Sequence, residues 1–135
     1  MDRPPEEQLL KKAEQRLSEG DADGAQKLAE AALAEKSENQ GHALFILARI
    51  ATGHGDMKGA QGYFEKALTV THEPKVLAWS HIYLGRIYDL QEDREAALGH
   101  YRAALNSGGT LPEVKAAAER GLQQPYEPPH APQPQ

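Results

Sequence analysis

The chain of 135 residues has no cysteine, which removes disulfides, zinc–thiolate sites and thiol catalysis together. The absence says little about compartment, because a protein without thiols suits either redox environment. Long apolar runs are missing too: stretches such as Ala43–Ala48 fall far short of the ~20 residues that span a bilayer. No stripe of positive charge is present. The net charge of −5 comes mostly from the first 40 residues, where 6 Lys/Arg face 10 Asp/Glu, while residues 41–77 and 78–122 are close to balanced. Phosphate neutralisation has no basis here, so nucleic acid is not an expected partner.

Catalytic patterns are equally scarce. Ser18, Ser37, Ser80 and Ser107 sit in no Gly-x-Ser-x-Gly elbow, and there is neither a Gly-rich phosphate loop nor a His-Glu-x-x-His helix. The six histidines, His42, His54, His72, His81, His100 and His130, are never three or four apart, so no single helix presents two of them to a metal. No enzyme activity, metal or cofactor is expected. Met1–Glu7 is acidic and polar and does not read as a secretory signal.

What the chain does have is self-similarity. Leu84-Gly85-x-x-Tyr88, followed by Ala97, Tyr101 and Ala104, is echoed 37 residues earlier by Leu47, Ala48 and Ala51, then Ala60, Phe64 and Ala67. A fainter copy lies 35 residues further upstream in Ala13, Ala25, Ala29 and Ala32. Repeats of this length are supersecondary units that bury a core only by stacking on neighbours. Small residues recur on both helices of each hairpin, Ala13, Ala48 and Gly85 on the first and Ala25, Ala60 and Ala97 on the second, which lets the helix axes approach closely. Bulkier Leu47, Leu84, Tyr88, Phe64, Leu68, Tyr101 and Leu105 then fill the space between hairpins. Such a scaffold binds rather than catalyses.

Local signals place the ends. Pro4 and Pro5 suit the first turn of a helix reaching about Ser18. Asp21 or Asp23 caps a second helix to about Glu35, and Ser37-x-x-Gln40 reads as a capping box opening a third that ends near Gly53. Gly53-His54-Gly55-Asp56 turns into a fourth, Met57 to about Val70. Pro74 starts the fifth, to about Leu90, and Asp93 caps the sixth, to about Asn106. Thr110-x-x-Glu113 reads as a capping box for a seventh, Pro112 to about Leu122, with Leu111, Val114, Ala117, Ala118 and Leu122 inward and Glu113, Lys115, Glu119 and Arg120 outward: a cover for the last unit. Residues 1–122 form one domain. From Gln123 to Gln135 the composition shifts to five Pro and four Gln, which predicts an extended, mobile tail.

The motif Leu84-Gly85-x-x-Tyr88, then Ala97-x-x-x-Tyr101-x-x-Ala104, resembles the tetratricopeptide repeat, with copies at about 6–39, 41–74 and 78–111. Two departures stand out. His81 takes the place of that family's Trp, with Trp79 two residues earlier, and the closing Pro is absent, with Ser37, His72 and Gly109 near its place. His81 is read as a hydrogen-bonded core imidazole rather than a ligand. The resemblance implies an all-α, right-handed α-α superhelix of three helix-turn-helix repeats plus a C-terminal capping helix, acting as a scaffold for a protein or peptide partner. The wording around Ala78–Tyr88 and Ala118–Pro129 also looks like the closing repeats of larger bacterial tetratricopeptide proteins, some exported. That likeness keeps two alternatives open: an accessory domain of a larger exported enzyme, with Met1 not a natural start, or a self-associating module. It also keeps an extracytoplasmic location open beside the cytoplasmic default.

In the family that the chain resembles, the first helix of each hairpin lines a concave groove. Carried over, this implies His42, Phe45, Arg49 and Thr52 from the second copy, Trp79, Ile82, Arg86 and Asp89 from the third, and Leu10, Glu14 and Leu17 from the first. Arg49 and Arg86 stand at matching places beside aromatics. Either they read an acidic or C-terminal carboxylate group of a peptide, or each pairs with a nearby acid, for example Arg86 with Asp89. The Lys/Asn clamp for chaperone tails is not matched by Leu10, Glu14, Arg49, Trp79 and Tyr83.

Overall fold

A computed structural model describes residues 6–35, 39–108 and 111–128. Among the described residues there are seven helices and no strand: α1 (Glu6–Ser18), α2 (Ala22–Ala34), α3 (Gln40–Gly53), α4 (Met57–Val70), α5 (Pro74–Leu90), α6 (Arg94–Gly108) and α7 (Pro112–Gln123). Pro4, Pro5, Ser37, Gly109 and Thr110, which carried several sequence signals, lie outside the described residues.

One device closes all three hairpins, and it is written locally. An Asp side chain accepts from the backbone N–H three residues on: Gly24 to Asp21 and Gly59 to Asp56 at 2.9 Å, and Ala96 to Asp93 at 3.2 Å. Each carboxylate thereby satisfies an orphan donor at a helix start. The residue before each Asp is left-handed, Gly20 at φ 83°, Gly55 at 77° and Glu92 at 61°. That bend lets the Asp N–H reach back to close the preceding helix, on Arg16 O at 2.8 Å and on Ala51 O and Tyr88 O at 2.9 Å. Only Glu92 carries a side chain in this conformation. Replacing Glu92→Gly should therefore raise unfolding free energy by about 0.5–1 kcal/mol, the strain relieved being larger than the entropy added to the unfolded chain. Urea unfolding measures it; a loss would mean that the Glu92 side chain contributes more than the strain costs.

Two capping boxes expected from the sequence start at Ser37 and Thr110, outside the described residues, and the described caps fall later in the chain. α3 begins at Gln40 with Asn39 as its cap residue and no side-chain cap bond. The Asn39 side chain engages Glu6 of α1 instead, and Gln40 Nε2 reaches the end of α2 at Leu33 O, 3.5 Å away. At α7 the cap residue is Leu111, extended at φ −78°, ψ 122°. Pro112 is the reason, since the residue before a proline is pushed out of the helical region. Glu113 thus stands one position too early for a box.

The repeat offsets reappear as buried positions. Ala13, Ala48, Ala25, Ala60, Ala97, Ala32, Ala67 and Ala104 are all fully buried, and Phe64 and Tyr101 fill matching places in successive hairpins. Lys12 and Arg16 are exposed because no described element packs on their side of α1. α7 buries Val114 and Ala118 against α5 and α6 and turns Glu113, Lys115, Glu119 and Arg120 to solvent. α1 touches α3, α3 touches α5 and α5 touches α7, whereas α2, α4 and α6 do not touch one another. Helices that crowd on one side and splay on the other bend the stack, so α1, α3, α5 and α7 form the inner, concave row. Among the described residues no helix is long and apolar enough to cross a membrane.

Candidate functional site

Two hollows open on the concave row. The first, of about 420 Å3, lies between α1, α3 and α5 and is lined by Glu14, His42, Phe45, Arg49, Val76, Trp79 and Tyr83, with Glu73 and Lys75 at its rim. Its floor is aromatic. Tyr83 stacks on buried Phe64 with ring centres 4.9 Å apart, and Phe45 meets both rings edge-on at 5.8 and 5.9 Å. Trp79 stands beside Tyr83 at 6.4 Å. Such rings offer rigid apolar area at small entropic cost.

The polar wall follows from the repeat itself. Glu14, Arg49 and Arg86 occupy the same position in successive repeats, so stacking brings the first two together. Arg49 Nη1 donates to both Glu14 oxygens at 2.7 and 3.0 Å, while its guanidinium lies over the Phe45 ring, 5.4 Å from the centre. His42 Nε2 is 3.4 Å from Glu14 Oε1. His42 and Arg49 together hold the Glu14 carboxyl down at about 2, against the cost of its partial burial. Arg49 is thus already paired with an acid through Nη1, one repeat away rather than one turn away.

The second hollow, of about 500 Å3, lies between α5, α7 and the segment after α7, lined by Arg86, Tyr101, Ala117, Arg120, Gly121 and residues 124–128. Arg86 does not pair with Asp89. Its guanidinium lies over the rings of Tyr83 and Tyr126, 5.6 and 5.2 Å from their centres. Asp89 is buried, and its carboxylate accepts from Arg94 Nη1 at 3.0 and 3.1 Å, from the Tyr101 hydroxyl at 2.8 Å and from the Tyr126 backbone N–H at 2.8 Å. Arg94 Nη2 in turn donates to Gly121 O at 2.6 Å, capping α7. Burial and the Asp89 bond push the Tyr101 hydroxyl well above its usual range.

Four of the residues that the sequence assigned to the groove, His42, Phe45, Arg49 and Trp79, meet Glu14 in the first hollow, and Arg86 lies in the second. The others stand elsewhere. Ile82 is fully buried among Ala78, Ala97 and Val114, because α7 covers that side of α5; the same cover encloses Asp89. Thr52 donates its hydroxyl back to Ala48 O at 3.0 Å, and Leu10 is core, with Leu17 packed at its edge. Val76 and Tyr83 were missed, although 76, 79, 83 and 86 mark one helical stripe.

His81 and His100 meet across the α5–α6 hairpin, Nδ1 to Nδ1 at 3.0 Å, with Tyr88 stacked on His100. The hydrogen-bonded imidazole read from the sequence has a second imidazole as its partner. Burial, then His100, lowers His81 to about 4, and burial lowers His100 against the pull of Glu65 from α4. With folded values below the unfolded ~6.5, stability is full above that pH and falls as pH drops from ~6.5 towards 4. Allowing for partial exposure, the loss should be roughly 1–2 kcal/mol. Thermal unfolding at stepped pH checks it: His81→Gln should flatten the slope in this window, and an unchanged slope would rule out the pair as its source.

Residues 80–114 match the family model of the tetratricopeptide repeat. That segment is a tetratricopeptide repeat. Among curated proteins, no match to it was found. The matched repeat runs from α5 through α6 into the first turn of α7, and the two hairpins before it reproduce its buried positions and its turn. Tetratricopeptide repeats generally mediate protein–protein interaction, and the family is typically a non-catalytic scaffold.

Proposed function

We propose that this chain is a non-catalytic interaction module that takes an extended segment of a protein partner along its concave row, with an apolar or aromatic side chain anchored in the hollow between α1, α3 and α5. The observation that carries this reading is the hollow itself: Phe45, Val76, Trp79 and Tyr83 beside the Arg49–Glu14 pair, a pre-formed apolar floor with convergent polar groups at one edge. A partner carboxylate would meet Arg86 and Arg120 more readily than Arg49, whose charge Glu14 already balances through Nη1.

Peptides selected from a random library on the full chain test the proposal. They should change Trp79 emission on titration and lose about tenfold or more in affinity with Tyr83→Ala, the behaviour of a central aromatic anchor, at unchanged helicity. Peptides that bind the Tyr83→Ala chain as tightly as the original would place the site elsewhere.

A further inference from the structure

The Arg86 end of the concave row already holds a peptide. Pro125–Pro128 follow α7 and turn back over α5, where the Tyr126 N–H meets the buried Asp89 carboxylate at 2.8 Å and the half-buried Tyr126 ring shares the Arg86 guanidinium with Tyr83. We propose that this end is a binding site for an extended Pro-Tyr-acid-Pro segment, and that Pro125–Pro128 are its built-in occupant. A partner reaching along the row past Arg86 must displace them. The inference rests on the concave-row reading but concerns its other half.

Three features suit the hollow to such a ligand. Asp89 is a fixed acceptor: Arg94 and Tyr101 hold it from α6, and its remaining bond goes to a main-chain N–H, which any extended segment can supply. Pro125 and Pro128 restrict the segment to extended backbone before it docks, so little chain freedom is lost on binding. Arg86 and Arg120 face a segment whose charged residue is Glu127. Release is also accessible. When Tyr126 leaves, Asp89 keeps Arg94 and Tyr101, so no buried charge is stranded.

The composition of the C-terminus predicts an extended, mobile tail over 123–135. Of its described residues, Gln123 ends α7, and the extended residues 125–128 lie on the concave row. One aromatic and one available acceptor are enough to redirect a Pro-rich segment.

The test uses the full chain in two forms, the original and Tyr126→Pro, which removes both the N–H and the ring while keeping extended backbone. A synthetic Gln-Gln-Pro-Tyr-Glu-Pro peptide is titrated into each by chemical-shift mapping up to millimolar concentration, the regime of a tethered competitor. Saturable binding to the Tyr126→Pro chain, centred on Arg86 and weaker by about tenfold in the original, is expected, with slow exchange of the Tyr126 amide in the original. No binding to the Tyr126→Pro chain, equal binding to both, or an unprotected Tyr126 amide would overturn the proposal. The Trp79 hollow is read separately by the Trp79 signal, since Tyr83 touches Arg86 whereas Trp79 lines only the first hollow; library peptides that move Trp79 would survive any of those outcomes.

Discussion

Asp89→Ala should be the most damaging single polar substitution in the chain, lowering unfolding free energy by about 2–4 kcal/mol. The carboxylate accepts from Arg94, Tyr101 and Tyr126 at once, so its removal leaves a buried hydroxyl unsatisfied and an arginine without its counter-charge. Arg94 is about a third exposed, which keeps the figure below that for a wholly buried pair. The damage should spread to α7, whose last carbonyls are held by the other Arg94 nitrogen. Asp89→Asn keeps the shape and two acceptor positions on one oxygen, so it should lose less. Urea unfolding of both variants, with amide exchange in α7, separates the effects. A cost for Asp89→Ala no greater than that of an exposed ion pair, under about 1 kcal/mol, would show that the network holds nothing together.

Gly121→Ala and Gly85→Ala should each cost about 1–3 kcal/mol, although alanine is the better helix former. The Tyr101 ring lies between the two glycines. A methyl on Gly85 would fall 2.6 Å from Tyr101 Cε1, and one on Gly121 would fall 2.5 Å from both Cε1 and Cζ. The ring cannot swing aside easily, being 1% exposed and tied to Asp89 through its hydroxyl. In a Tyr101→Leu background the Gly121→Ala cost should shrink markedly, since the clashing atoms are gone; strict additivity would contradict the slot. By contrast, Gly62→Ala, with open space around its missing Cβ, should be neutral or stabilising.

The arrangement of helices was legible because its causes are local or periodic. Asp21, Asp56 and Asp93 announce the turns, and alanines at offsets of 35 and 37 residues announce the hairpins. Gly85 was read as a small residue for close helix approach, and the close approach is to a ring: small residues mark contact without naming what is contacted. Site positions that lay on the carried-over stripe but face the core, Ile82 and Asp89, were turned inward by α7, a helix whose own placement decides which side of α5 stays open. The Arg49–Glu14 pair had a signal that periodicity could have given, since 14 and 49 are the same repeat position with opposite charges. Nothing comparable flagged Tyr126. Its contact depends on Asp89 keeping one acceptor free after Arg94 and Tyr101 are satisfied, which no residue spacing encodes. At α7 the cap falls on Leu111, held extended by Pro112, one residue later than the Thr110–Glu113 pattern places it.

The most direct measurement on the concave row is a two-dimensional amide spectrum of the full chain titrated with a library-selected peptide. Trp79 is the only tryptophan, so its indole N–H gives a single resonance that needs no assignment. If the hollow between α1, α3 and α5 is the binding site, that resonance and the amides around Phe45, Arg49 and Tyr83 move in step with saturation. Meanwhile those on the outer faces of α2, α4 and α6 stay still. A peptide that saturates the chain while the Trp79 indole remains fixed and the shifts gather on α2, α4 or α6 would contradict the concave site.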